Sequence, residues 1–254
     1  MERVNFRNPR GLALVGTRYE VPSDTIVLLV HGFASDRRSS GRFEYIARCL
    51  NDAGLAAFAF DFSGCGESDD DPLLIAHEVE DLRAALALAE GWGYRVIVMW
   101  GNSLGGRVCL EAVTPAVSTM VLTGGATGPM NYNWGEYFSA EQIDELQTHG
   151  RLTIHRSEGS RSRIVIDGRM LEEFGLFDVS AIFRRIHCPV LLIHGDGDEE
   201  ERRLLGHSRD ALRLLPRATR LEILPGAAHG FFGCIDTVVR LGLEWINERR
   251  SERR

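Results

Sequence analysis

An α/β fold, with a mostly parallel central sheet covered by helices on both faces, is the architecture this sequence predicts. Three observations lead there. Short continuous apolar runs at residues 26–30, 55–60, 96–99 and 190–194 have the composition of strands buried on both faces of a parallel sheet. Stretches with apolar residues at helical spacing lie between them, the alternation that βα units produce. The chain's 254 residues, 44% apolar and 26% charged, suit a single domain able to bury a substantial core.

Taken in order, the N-terminal stretch is expected to pair as edge strands, and residues 26–30 form the first buried strand. Phe43, Ile46, Ala47 and Leu50 share a helical face over residues 41–53, and Gly54 ends that helix. Residues 55–60 make a second buried strand, which leads into a turn-rich stretch at 61–71. Pro72 starts a helix to Ala89 whose apolar face carries Leu74, Ile75, Val79, Leu82, Leu86 and Ala89. The strand at 96–99, a Gly-rich turn and a helix through Glu111 follow, then a strand at 119–122. There the alternation breaks. Residues 124–185 contain NYNWGEYF, a helix at 140–149 capped by Ser139, and two short β runs, RLTIH and RIVID, separated as in a hairpin. This block is too small and irregular for an independent domain. It is expected to be a short cap insertion, at about 125–185, over the mouth of the sheet in one domain spanning 1–254. The alternation resumes with a strand at 190–194, a helix near 204–215, a strand at 220–224 and a final helix from Cys234 to about Arg249.

Composition removes several function classes. All 29 basic residues are arginine, which excludes a Schiff-base lysine, a P-loop lysine and a Ser-Lys pair. A net charge of -7 offers no global attraction to nucleic acid or to anionic lipid. The apolar runs are far shorter than the roughly 20 residues a membrane-crossing helix needs. The opening MERVNFRNPRG lacks the apolar centre of a signal peptide, so cytoplasmic residence is the expectation. Cys49, Cys65, Cys109, Cys188 and Cys234 form no CxxC and no even framework, which points to reduced thiols rather than a metal cluster. No metal or cofactor and no nucleic-acid or membrane partner is expected. A charged tail, ERRSERR, closes the chain.

The Gly-rich turn is GNSLGG, residues 101–106. A GxSxG pattern between a buried strand and a helix is a nucleophile elbow, in which small residues let the chain turn sharply and hold one strained Ser above the sheet. Ser103 is therefore the candidate nucleophile. The bare pattern also fits an ordinary βα loop, so the partners decide. A Ser hydroxyl is a weak nucleophile until a base takes its proton and a third group orients that base. His229, in LPGAAHGFF, follows the last predicted strand, and Asp198, in HGDGDEE, follows the strand at 190–194. The run Asp196, Asp198, Glu199, Glu200 and Glu201 also reads as a charge cluster at a helix N-terminus. Within it Asp198 is the chosen acid and Asp196 the alternative. The order Ser103, Asp198, His229 differs from the orders of the chymotrypsin and subtilisin types. Backbone N–H groups of Leu104 and of Phe33, the latter after the first buried strand, are the expected oxyanion hole. Tyr132, Trp134, Tyr137 and Phe138 are candidate substrate-binding aromatics, with packing of the cap onto the core as the competing role.

Several segments together resemble the α/β-hydrolase superfamily over nearly the whole chain: HGF at 31–33, DFSGCGES at 61–68, GNSLGG at 101–106, HGDGD at 194–198 and GAAHGF at 226–231. More narrowly, the chain looks like small bacterial serine esterases related to feruloyl (cinnamoyl) esterases and to serine-aminopeptidase-like hydrolases. The resemblance implies a Ser-Asp-His triad, a short cap and cofactor-free ester hydrolysis. The sequence departs from that pattern at Asn102, where His is common, at Cys65, and at Glu199–Glu200–Glu201, where an apolar-Pro continuation is usual. The expected function is hydrolysis of small carboxylic esters through an acyl-enzyme. Thioesterase and peptidase activities use the same parts and stay open, as does a non-catalytic ligand-binding role. The expected partner is a small-molecule ester or thioester, and the oligomeric state is not legible.

Overall fold

The computed structural model describes residues 1–157 and 160–252; two residues of the expected hairpin connection and the last two of the charged tail lie outside the described residues. Among the described residues, ten strands occur in the order β1 (Glu2–Arg7), β2 (Ala13–Tyr19), β3 (Thr25–Val30), β4 (Ala56–Phe60), β5 (Val96–Asn102), β6 (Val117–Thr123), β7 (Arg151–His155), β8 (Arg163–Asp167), β9 (Val190–Gly195) and β10 (Arg220–Leu224). The helices are α1 (Arg42–Asp52), α2 (Ile75–Gly91), α3 (Leu104–Ala112), α4 (Ala140–His149), α5 (Gly168–Glu173), α6 (Val179–Phe183), α7 (Glu199–Ala211) and α8 (Ile235–Ser251). Eight strands form one sheet, ordered β1-β2-β4-β3-β5-β6-β9-β10. The pairs β1/β2 and β2/β4 are antiparallel, and the other neighbours are parallel.

Burial on both faces explains the near-continuous apolar strands. All six residues of β3 are buried. Because successive side chains point to opposite faces, Ile26, Leu28 and Val30 join the apolar cluster of Leu82, Leu86 and Val108 from α2 and α3. Val27 and Leu29 join Phe43, Ile46, Trp245 and Ile246 from α1 and α8 on the other face. The parallel register sets Val30 beside Gly101, Asn102 beside Thr123, Thr123 beside Ile193, and Leu224 beside Gly195. The loops that leave β3, β5, β6, β9 and β10 therefore emerge at one edge.

Between β6 and β9 lie α4, the antiparallel pair β7/β8, α5 and α6. Ser139 caps α4 through a full capping box with Gln142. β8 is stitched to the core, since Leu73 N–H donates to Val165 O (2.8 Å) and Asp167 N–H to Leu73 O (3.2 Å). Leu73 is thereby used in a bridge, and α2 begins at Ile75 instead of at Pro72. Leu152, Ile164, Ile166 and Phe174 belong to the same apolar cluster as α2 and α3.

One helix boundary differs in a way that matters for the site. The helix expected near 204–215 begins at Glu199 and ends at Ala211. Asp198 is its N-cap, accepting the Glu201 N–H (2.8 Å), and three glutamates occupy the first turn, where the helix dipole favours negative charge.

Candidate active site

Ser103 stands where β5 turns into α3, with φ 54° and ψ -123°. A left-handed conformation at a residue with a Cβ costs roughly 1–3 kcal/mol and persists only where the surroundings enforce it. The enforcing contacts are backbone to backbone. A Cβ on Gly101 would lie 2.6 Å from Gly105 O, and one on Gly105 would lie 2.2 Å from Val30 O, so the elbow closes only with hydrogen at both positions. Ser103 N–H donates to Thr123 O (2.9 Å), tying the elbow to β6.

His229 follows β10, and its backbone N–H donates to Asp198 Oδ2 (2.7 Å). Its Nε2 lies 2.9 Å from Ser103 Oγ, and its Nδ1 lies 2.6 Å from Glu201 Oε1. These neighbours assign the tautomer: Nδ1–H donates to the carboxylate, leaving Nε2 to accept from the Ser hydroxyl. The carboxylate beside the imidazole is therefore not the one the sequence pointed to. Asp198 hydrogen-bonds the Glu201 N–H and the His229 N–H, holding the loop, while the imidazole itself meets Glu201. The alternative, Asp196, is exposed and accepts Gly226 N–H (2.6 Å).

The early start of α7 is the physical reason. Three residues after the N-cap, a Glu side chain ordinarily reaches back to the N-cap N–H. Glu201 turns inward instead, and its Oε2 accepts from Gly195 N–H (2.9 Å) and His194 Nδ1–H (3.1 Å). His194 Nε2 accepts in turn from Ser208 Oγ (2.8 Å), which lies 2.8 Å from Thr127 Oγ1. Both Glu201 oxygens are therefore satisfied inside a buried network. Room for the pair comes from Gly124, at φ 56°, where a Cβ would stand 2.5 Å from Glu201 Oε1 and 3.1 Å from His229 Nδ1.

Burial alone would push the Glu201 carboxyl up, but hydrogen bonds from His194 and His229 outweigh it and hold it at about 2. Burial pulls His229 down, and the Glu201 hydrogen bond with the charges of Glu200, Glu201 and Asp198 more than reverses this, so its proton affinity is raised. A hydroxyl so placed can pass its proton to Nε2 while Glu201 balances the imidazolium that forms.

The loop after β3 lies against the nucleophile: a Cβ on Gly32 would be 3.1 Å from Ser103 Cβ. His31, fully buried and with its proton affinity lowered by that burial, braces this loop by donating from Nδ1 to Gly32 O (2.9 Å) and accepting Phe62 N–H at Nε2 (3.3 Å). Phe33 and Leu104, expected to supply oxyanion donors, thus flank Ser103 from this loop and from the first turn of α3. Asn102 Oδ1 accepts from Thr123 Oγ1 (3.3 Å).

A cavity of about 410 Å³ opens over Ser103 and His229 and is also lined by Asn102, Tyr132, Trp134, Tyr137 and Phe138. The aromatics interlock, with ring centroids 4.8 Å apart for Tyr132–Trp134, 5.3 Å for Trp134–Phe174 and 5.5 Å for Phe33–Phe174. They both pack the β6–β9 segment onto the β3 loop and wall the cavity.

An alpha/beta hydrolase family model matches residues 27–240. The chain belongs to the alpha/beta hydrolase family. Its architecture is the α/β-hydrolase fold, as the sequence led us to expect. Similar solved structures are Est1E from Butyrivibrio proteoclasticus with ferulic acid bound (TM-score 0.76, 19% identity, 98% of this chain and 99% of that one) and the esterase EaEST from Exiguobacterium antarcticum (0.74, 15%, 97% and 100%). A monoacylglycerol lipase from Paleococcus ferrophilus is also similar (0.71, 20%, 93% and 99%). Two curated Escherichia coli proteins, both described as an uncharacterized 31.7 kDa protein in the traX-finO intergenic region, are 30% identical over 191 residues. The match covers 68% of this chain and 63% of those relatives' length.

Within this α/β-hydrolase, the structure brings together Ser103, His229, the Phe33 loop and the four expected aromatics. Sequence reasoning missed Glu201, His194, Glu200, Phe174, Phe232 and Arg42 around them. A signal for Glu201 was present: Asp198, three positions earlier, is a strong N-cap, and an N-cap carboxylate is already engaged by the helix it starts. Among the described residues, no helix is long and apolar enough to cross a membrane.

Proposed function

We propose that the protein is a serine hydrolase of small carboxylic esters, with Ser103 as nucleophile, His229 as general base and then acid, and Glu201 as the orienting carboxylate. The observation that carries this reading is the unbroken chain Ser103 Oγ to His229 Nε2 (2.9 Å) and His229 Nδ1 to Glu201 Oε1 (2.6 Å), built on a strained elbow. Nε2 takes the hydroxyl proton as Oγ bonds to the substrate carbonyl carbon, and the negative charge on the carbonyl oxygen faces the Phe33 and Leu104 N–H groups. Collapse of that intermediate breaks the carbon–oxygen bond to the alcohol, which leaves with the proton held on Nε2. Water then attacks the acyl-enzyme by the same route in reverse and frees the acid. The β6–β9 segment acts as a cap whose aromatics select the acyl or alcohol part, and the cysteine usage supports a cytoplasmic setting.

The test is turnover of short-chain p-nitrophenyl esters together with labelling by a fluorophosphonate probe. Wild type is expected to turn over and to be labelled. Ser103→Ala is expected to lose labelling and about 10⁶-fold in kcat. Absence of wild-type labelling, or equal labelling of the variant, rejects the reading.

A further inference from the structure

Arg42, the first residue of α1, is unlike its neighbours. Arg37 pairs with Asp61 and Glu67, and Arg38 with Glu44. The acceptors of Arg42 are all neutral: Ser39 O from Nε (3.1 Å), Ser39 Oγ from Nη2 (3.0 Å) and Gly230 O from Nη1 (2.8 Å). Among the described residues it joins no ion pair. A guanidinium carries five N–H donors in a planar fork, so these contacts leave one on Nη1 and one on Nη2. The group lies 4.8 Å from the centroid of the Phe232 ring, and burial lowers its proton affinity with no carboxylate to offset the loss of water. It lines the same cavity as Ser103 and His229, and its contact Gly230 directly follows His229.

Besides the His229 imidazole, one carboxylate among the described residues faces this space with Arg42. Glu200 accepts from the Tyr132 hydroxyl (2.9 Å) and stands 3.9 Å from His229 Nε2. The cavity therefore presents one cation with unused donors and one anion hydrogen-bonded to a neutral phenol.

We propose that Arg42 is the carboxylate-binding residue of this cavity, and that the substrate is an ester bearing one free carboxylate. The proposal rests on the serine-hydrolase reading. A guanidinium with an unused N–H on each Nη and no carboxylate partner can hold a carboxylate through charge-assisted hydrogen bonds. Glu200 in the same cavity repels a second negative charge, which favours a monocarboxylate over a phosphate dianion.

Two substrate pairs test it, each an anion against its neutral amide counterpart. para-Acetoxybenzoate and para-acetoxybenzamide place the charge on the leaving alcohol; monomethyl adipate and the methyl ester of adipic monoamide place it on the acyl part. In wild type the anion is expected to exceed its amide in kcat/KM by about tenfold in at least one pair, the scale of a hydrogen bond to a charged group. Arg42→Gln is expected to bring that ratio close to one, Arg42→Lys to retain part of it, and Glu200→Gln to raise it. Ratios at or below one in both pairs, with the neutral esters turned over, overturn the proposal and leave the serine-hydrolase reading standing. That outcome is read on wild type, so it does not depend on how well Arg42→Gln folds. Should neither charge form be hydrolysed, calorimetric titration with benzoate and benzamide decides the anion site alone. Tighter benzoate binding that Arg42→Gln abolishes supports it, and equal binding of the two refutes it.

Discussion

Two turns at neighbouring strand ends supply the candidate site, and they specify their key side chains in different ways. The elbow after β5 is a steric solution: Gly101 and Gly105 touch backbone, and the one residue between them with a reactive side chain is Ser103. The turn after β9 offers five carboxylates within six positions, 196–201, and local chemistry suits all of them to a helix N-terminus. What singles out Glu201 is rotation. Asp198 starts α7, and that start aims Glu201 inward at Gly195, His194 and His229. A nucleophile set by backbone geometry can be found from neighbours in sequence, whereas an acid set by helix phase depends on contacts with residues far along the chain.

The sharpest way to break this comparison is to exchange the two acids. Glu201→Gln is expected to lower kcat by about 10³–10⁴-fold, as loss of a triad carboxylate does elsewhere. Asp198→Asn is expected to change kcat by less than about tenfold, because Asn caps a helix as well as Asp. Steady-state kinetics of both variants checks this, and a larger loss in Asp198→Asn would return the role to Asp198.

Gly124→Ala probes the same turn from β6. A methyl group there overlaps Glu201 Oε1 and crowds His229, and is expected to displace the pair, costing about 10²-fold in kcat, the scale of a small misplacement of catalytic groups. Unchanged kcat would mean that the pair tolerates the methyl and that the contact does not constrain it.

The pH profile sharpens the electrostatic side. His229 must be neutral to act as a base, and its proton affinity is raised. The acidic limb of kcat/KM is therefore expected above the ordinary histidine value of about 6.5, with activity rising as pH increases through it. In Glu201→Gln the carboxylate that raises it is gone while burial remains, so the limb is expected to move to lower pH. A limb that stays in place would detach the titration from this pair.

The smallest effect concerns the helix start. Asp198→Ala removes a cap and is expected to cost about 1 kcal/mol of unfolding free energy, measured by denaturant titration, with kcat falling less than in Glu201→Gln. Stability equal to wild type would mean that other contacts hold α7 in phase.

Much of the fold was legible because its determinants are local. A run such as TIVLLV declares a strand buried on both sides, and the capping signal at Ser139 marked α4. Less legible were α5 and α6, short helices of six and five residues whose apolar positions are too few to show a period. Arg42 was invisible as a cavity residue for another reason: its sequence context is an amphipathic helix start, and only the return of the chain at Gly230 and Phe232 sets it beside His229.

By itself, then, the sequence determined the alternation of strands and helices, the elbow with Ser103, and a histidine loop after the last strand, because steric rules and burial periodicity act between residues a few positions apart. The tertiary structure alone decided which carboxylate meets the imidazole, how the aromatics of the β6–β9 segment close over it, and that an arginine without an ion pair shares the cavity. Those choices depend on helix phase and strand register, which are set by packing across the whole sheet.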